Sequence, residues 1–169
     1  MAGPDDDSTA TLLDGCYSCE LETAADVAPS ERVLVTDHWR VAHAFDTSLP
    51  GWLVAVPRRH RLSLAELEPE AAAELGPLLT DLTRALQQVT GCFKTYVMLL
   101  AEAEGFAHLH FHVVPRMPDQ PAEERGPRIF ARLGAPADDQ VQQPERDRLA
   151  ELLLRNFNEF CKPDIPKLE

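Results

Sequence analysis

Residues 108–116 read His-Leu-His-Phe-His-Val-Val-Pro-Arg, and three of the chain's six histidines fall at alternate positions there. The residues between them, Leu109, Phe111 and Val113, are all apolar. Strict alternation is the period of a half-buried strand, which puts His108, His110 and His112 on one face and the apolar three on the other. Steps of two residues are roughly 7 Å, so the imidazoles form a row about 13 Å long. A row of three imidazoles on a strand needs partners or a ligand. With an unperturbed pKa of ~6.5, such rings are neutral nucleophiles or metal ligands at neutral pH. A second chemical signal is Cys16-Tyr17-Ser18-Cys19. A Cys-x-x-Cys pair in a cytosolic chain points to zinc or to redox chemistry. No βαβ pattern accompanies the pair, which weakens the thioredoxin-like option. Cys92 and Cys161 read as small buried hydrophobes.

The surrounding elements must hold these residues in place. Arg32 to Thr36, His38 to Phe45 and Trp52 to Pro57 read as strands, with Trp39, Val41 and Phe45 on one face of the second. Leu49-Pro50-Gly51 is a turn signal. The short connections favour antiparallel pairing. Ser63-Leu64-Ala65-Glu66 fits a capping box. From Glu70 a leucine stripe at helical spacing runs to Val89, and Gly91 is a C-terminal stop. Gly76-Pro77 is expected to kink or divide that helix. Phe93 to Leu100 is another strand, joined to the histidine strand by a turn through Gly105. Met117 to Gly126 reads as loop, and Pro127 to Leu133 as a short element. Glu145 to Cys161 is a helix with Leu149, Leu152, Leu153, Phe157 and Phe160 in one stripe. Strands clustered rather than interleaved with helices give an α+β class. The architecture expected is a five-stranded antiparallel sheet with a long helix packed on it and a C-terminal helix.

A chain of 169 residues favours one domain. The formal net charge of −12 argues against a nucleic-acid or anionic-membrane binder, which would present basic surface. A small phosphate substrate stays compatible with it, because a pocket can be locally positive. No apolar run approaches the ~20 residues of a membrane helix. Residues 1–11 are polar and acidic, unlike a secretory signal, and are expected to be flexible. The location expected is cytoplasmic.

His108 to Val114 resembles, at every position, the His-φ-His-φ-His-φ-φ signature of the histidine triad (HIT) family of nucleotide hydrolases and transferases, where φ is apolar. Pro115-Arg116 looks like a common continuation, and weaker matches extend from Cys16 to about Arg116. The resemblance implies a HIT-like domain over residues 12–134, with residues 135–169 a C-terminal helical extension packed on it. It implies that His110, the middle histidine, attacks the α-phosphorus of a nucleotide to form a nucleotidyl-histidine intermediate. It implies that His112 hydrogen bonds to the phosphate or bridging atom, with Gly105 and Arg116 as further substrate-binding positions. Histidine at the third position, where transferases carry glutamine, favours hydrolysis. In zinc-bearing relatives the metal is held at positions matching Cys16, Cys19, His60 and His108. Two thiolates and two neutral imidazoles cancel the charge of Zn²⁺, so its role is structural. A homodimer is implied as well, and the apolar strand 93–100 would be a hazard as an open edge.

The resemblance also has gaps. The aspartate that relatives use for the ribose hydroxyls falls at Ala44, and a usual histidine falls at Trp52. A phosphate-contacting Ser or Thr is Gly105, and an Asn or Gln is Val97. Glu102 and Glu104 flank the site entry, where carboxylates repel phosphate. Three readings follow: a hydrolase of nucleoside phosphoramidates, dinucleoside polyphosphates or related nucleotidyl conjugates; a non-catalytic nucleotide-binding or interaction protein on the same fold; and a redox-active metal protein. The last lacks the aspartate of the His-x-His-x-Asp-His pattern.

Overall fold

A computed structural model describes residues 12–160. The expected acidic N-terminus and Cys161 lie outside the described residues. The core is a five-stranded sheet of β1 (Leu34–Val35), β2 (Trp39–His43), β3 (Leu53–Pro57), β4 (Lys94–Leu99) and β5 (Phe111–Arg116). The strand order is β1-β2-β3-β5-β4, and every pairing is antiparallel. Three α-helices accompany it: α1 (Tyr17–Thr23), α2 (Pro69–Thr90) and α3 (Gln143–Phe160). The expected α+β architecture is the one observed.

The pleat divides the sheet into two working faces. Trp39, Val41, Leu53, Ala55, Phe111 and Val113 pack against Leu78, Leu82 and Leu86 of α2 and Ala150 and Leu153 of α3. Trp39 is fully buried and donates its indole N–H to the Ala71 carbonyl at 3.0 Å. The alternate residues, Arg40, Ala42, Val54, Val56 and His112, line a cavity on the opposite side. That side is closed in part by a second cluster of Ala44, Trp52, Val114 and Ile129. Ile129 lies in a 3-10 segment, Gly126–Arg132, which fulfils the short element expected there.

Several local expectations are corrected. Gly76-Pro77 does not divide α2, a continuous helix of 22 residues. An internal proline costs about 3 kcal/mol. Burying Leu78, Leu82 and Leu86 returns about 1.5–3 kcal/mol each, so packing wins. The helix ends at Gly91, whose φ of 69° is the left-handed C-cap conformation. Ser63 does not cap α2. The Glu66 carboxylate instead accepts from the Leu62 N–H and the Ser63 hydroxyl around a 3-10 turn, Leu64–Glu66. The strand expected at Arg32 to Thr36 shrinks to two residues, because Pro29–Arg32 forms a 3-10 turn. Phe45 lies beyond β2 and is partly exposed, off the Trp39–Val41 face. The cysteine pair is not in a turn: Cys16 is the N-cap of α1, and Cys19 lies within it.

The histidine stretch departs most from expectation. β5 begins only at Phe111, so His108 and His110 precede the strand. The Leu109 N–H donates to the Arg61 carbonyl at 2.7 Å rather than to a sheet partner. The expected row of three co-facial imidazoles therefore becomes one ring directed to one site and two directed to another. No described helix is long and apolar enough to cross a membrane.

Candidate functional site

The first site gathers Cys16, Cys19, His60 and His108, whose ligand atoms all lie within 4.8 Å of one another. Cys16 Sγ is 3.5 Å and Cys19 Sγ 3.6 Å from His108 Nδ1, and Cys19 Sγ is 3.4 Å from His60 Nδ1. A tetrahedral ion with bonds of about 2.3 Å to sulfur and 2.05 Å to nitrogen sets S···N edges of about 3.6 Å. The donor set fits such a metal. His108 Nε2 lies 3.0 Å from the Pro57 carbonyl and 3.2 Å from the Arg59 carbonyl. Carbonyls only accept, so Nε2 carries the proton and the Nδ1 lone pair faces the sulfurs, as in outer-shell support of a metal-bound imidazole. Burial pushes the Cys19 thiol up to about 11, so a bound cation is what would hold the thiolate there.

The second site contains His110 and His112. His110 Nδ1 is 2.8 Å from the His108 carbonyl, so this nitrogen is the donor and the lone pair lies on Nε2. The two Nε2 atoms are 3.2 Å apart, and the rings cross edge-on at a centroid distance of 4.8 Å. Burial, then the neighbouring His110, lowers the His112 pKa to about 4, which keeps that ring neutral. Trp52 donates its indole N–H to His112 Nδ1 at 3.0 Å.

Both rings open onto a cavity of about 390 Å³. Its walls include apolar Ala42, Ala44, Val54 and Val56, aromatic Tyr17, Phe45 and Phe106, and polar Glu31, Arg40 and Asp46. Tyr17, Phe45 and Phe106 form a triangle with centroid separations of 5.5, 5.9 and 6.0 Å, drawn from three separate segments. Burial, reinforced by Glu31, pushes the Tyr17 hydroxyl up to about 12, and burial raises Glu31 as well. Arg40 is 2% exposed and is no free cation: its Nε donates to Glu22 at 2.7 Å, and its other nitrogens to the Glu31 and Ser18 carbonyls. Those bonds seat α1 on the sheet. The loop after β4 enters the cavity through Leu100, Ala101 and Glu102, with Ala101 at a φ of 50°. A left-handed alanine stores on the order of 1 kcal/mol, a cost tolerated where a loop is held for a purpose.

The structure brings together His110 and His112 at the cavity, and Cys16, Cys19, His60 and His108 at the cluster. Ala44 and Glu102 line the cavity. Gly105 and Arg116, expected to contact substrate, are not among the lining residues. Arg116 sits at the far end of β5 over the Phe93 ring, 4.9 Å from its centroid, and three residues of strand separate it from His112. Val97 is on the edge strand β4, partly exposed, and Glu104 is also outside the lining. Sequence reasoning missed Arg40, Glu22, Glu31 and Tyr17, for which no periodic signal exists. The adjacency of Tyr17 to Cys16 of the Cys-x-x-Cys pair was the available clue.

The HIT domain model matches residues 25–119, more than half of the chain. The chain belongs to the HIT domain family, whose histidine triad here is His108, His110 and His112. Solved structures with the same fold include a Zn-bound histidine triad family protein from Mycobacterium smegmatis, 17% identical, with a TM-score of 0.61 over 85% of this chain and 94% of that one. A histidine triad protein from Bradyrhizobium japonicum is 23% identical, with a TM-score of 0.62 over 75% and 89% of the two chains. A hypothetical histidine triad nucleotide-binding protein from Sulfolobus tokodaii is 13% identical, with a TM-score of 0.62 over 85% and 93%. No curated protein matches the sequence.

Proposed function

We propose that this protein is a nucleotide hydrolase acting at the α-phosphate of nucleoside phosphoramidates, dinucleoside polyphosphates or related nucleotidyl conjugates. The observation that carries this reading is the orientation of His110. Its Nδ1 is tied to the His108 carbonyl, which leaves the Nε2 lone pair beside the cavity and 3.2 Å from His112 Nε2. In the first step His110 Nε2 forms a bond to the α-phosphorus, and the bond from phosphorus to the leaving group breaks. The leaving atom takes a proton from solvent water. Water then attacks phosphorus and gives up a proton to solvent, the P–N bond breaks and returns its electron pair to His110 Nε2, and the mononucleotide leaves. Covalent catalysis of this kind divides one displacement into two easier ones. The His112 Nε2–H is placed to stabilise the charge that develops on the phosphoryl or bridging oxygen. The apolar and aromatic cavity walls suit a nucleoside.

Zinc is the metal that two thiolates and two imidazoles select, and the cluster would bind it as a closed structural site. The edge strand β4 exposes Val97, with Phe93 and Leu100 exposed beside it, and a second copy of the chain pairing there would make a homodimer.

A second reading, a non-catalytic nucleotide-binding protein, has its own observation. Ala44 gives the cavity no carboxylate at that position, while Glu102 adds a negative group. Rapid acid quench with a labelled adenosine phosphoramidate separates the two. Wild type is expected to yield a nucleotidyl-protein adduct that His110→Ala lacks. Equal hydrolysis by both would reject the enzyme and leave the binding protein.

A further inference from the structure

We infer that Trp52 is a positioning residue that sets which nitrogen of His112 carries the proton; this rests on the proposed reaction at His110. A chain of hydrogen bonds runs through His112, and its direction is fixed at both ends. At one end, the indole Nε1 of Trp52 lies 3.0 Å from His112 Nδ1. An indole nitrogen donates and never accepts, so His112 Nδ1 must present its lone pair. At the other end, His110 Nδ1 lies 2.8 Å from the His108 carbonyl, which accepts and never donates. His110 therefore presents its lone pair on Nε2. Between the two ends, the Nε2 atoms are 3.2 Å apart, and only one arrangement of protons satisfies them. His112 Nε2–H donates to His110 Nε2. The order runs from Trp52 to His112, to His110 and to the His108 carbonyl.

The environment enforces that order. His112 is 7% exposed and Trp52 is fully buried, so water does not compete for Nδ1. The Trp52 ring is held edge-on to Phe130 at 5.5 Å and edge-on to His112 at 5.7 Å, which aims the N–H. The proton on His112 Nε2 is the one that faces the cavity. When a phosphoryl group displaces the His112–His110 contact, that N–H is left pointing at the site of charge development. Without the indole donor, a proton on Nδ1 would no longer meet another donor head-on. The ring could then present a bare lone pair to a phosphate oxygen, which repels it.

The test uses the full chain labelled with ¹⁵N on histidine and tryptophan, with the variant Trp52→Phe. Phenylalanine retains an aromatic ring in the pocket and removes the donor together with the volume of one ring of the indole, so the tautomer and not the turnover alone is the readout. In wild type, long-range ¹⁵N correlation spectra are expected to show His112 Nδ1 as a pyridine-type and Nε2 as a pyrrole-type nitrogen. A scalar coupling across the hydrogen bond between Trp52 Nε1 and His112 Nδ1 is expected as well. In Trp52→Phe with adenosine monophosphate bound, where the His110 contact that also fixes the proton is displaced, the two His112 shifts are expected to converge as tautomers mix. Turnover of a nucleotidyl conjugate is expected to fall about tenfold or more, within the range that a correctly protonated group contributes. The Michaelis constant is expected to stay within about threefold, since ground-state contacts are kept. A wild-type His112 protonated on Nδ1 overturns the inference, and that result needs no variant to fold. A Trp52→Phe protein that keeps the wild-type tautomer with adenosine monophosphate bound also overturns it, whatever its turnover, because the effect of Trp52 would then be packing alone. If wild type turns over no conjugate, the proposed function fails while the spectra still decide the role of Trp52.

Discussion

His43 ties stability to pH, and its geometry gives the size of the effect. The ring is 1% exposed at the end of β2. Its Nδ1–H donates to the Ala44 carbonyl at 2.7 Å, and its Nε2 accepts the Gly51 N–H at 2.9 Å. Gly51 has a φ of 84°, and a Cβ there would meet Thr90 Cγ2 at 3.0 Å, so the turn that supplies this N–H lies close against α2. Protonating Nε2 would set two donors against each other in a dry pocket. Burial, with a smaller contribution from Arg146, lowers the pKa to about 4, and Glu145 and the Ala44 carbonyl oppose it. The folded value is below the unfolded value of ~6.5. The unfolded state thus binds a proton that the folded state refuses, and stability is lost as pH falls through 6.5 toward 4. Between pH 7 and pH 5 the single group accounts for about 2 kcal/mol. Urea unfolding of wild type and His43→Gln at both pH values measures it. Metal and assembly contribute to both proteins alike, so the difference in slope isolates His43. The variant is expected to be less stable at pH 7 and to lose about 2 kcal/mol less than wild type on acidification. Equal losses in the two proteins would refute the reasoning.

Two further outcomes are expected. Wild type purified without chelator is expected to carry one zinc per chain by metal analysis, and Cys16→Ser/Cys19→Ser to carry none and melt at a lower temperature; stoichiometric zinc in the double variant would reject the assignment. Val97→Glu, which puts a charge in the exposed edge strand, is expected to turn a dimer into monomer by light scattering with little loss of monomer stability, because the side chain is already 43% exposed; a wild type that is monomeric at micromolar concentration would reject the interface.

Much of the fold was legible because binary patterning is local. The leucine stripe of α2, the alternation around His112 and the apolar β3 segment each declare their element without a partner. The cysteine pair was legible for another reason, since metal spacing restricts residue type strongly, and His60 only through the resemblance of its segment to the family. What escaped was set by tertiary contacts. Alternation predicted a strand from His108, yet Leu109 turns its N–H to Arg61 and the His108 ring binds back to the Pro57 and Arg59 carbonyls. Those bonds detach the first two histidines from the ladder. Gly76-Pro77 failed as a helix break because the leucines beyond it already had a sheet to cover. Arg40 looked like an ordinary strand residue, although its guanidinium and Glu22 form an ion pair that seats α1. Removing one partner of such a buried pair costs about 3–5 kcal/mol, so this pair also defines the cavity wall.

His108 joins the two sites. Its ring nitrogen faces the sulfurs of the cysteine pair, and its own carbonyl accepts the proton-bearing Nδ1 of His110. A metal held by Cys16, Cys19, His60 and His108 would immobilise that residue from one side, and the Pro57 and Arg59 carbonyls immobilise it from the other. The backbone carbonyl two residues before His110 would thereby be fixed in space. A fixed acceptor keeps the His110 lone pair on Nε2 and directed into the cavity. A metal there would need no contact with substrate to matter for the proposed reaction. The same ligand pair places Tyr17 and Ser18, which lie between Cys16 and Cys19 in sequence, in the cavity wall. One ion would thus order the nucleophile through His108 and part of the binding surface through α1. A cavity whose lining arginine, Arg40, is already paired then relies on the orientation of its imidazoles, which depends on the rigidity of what stands behind them.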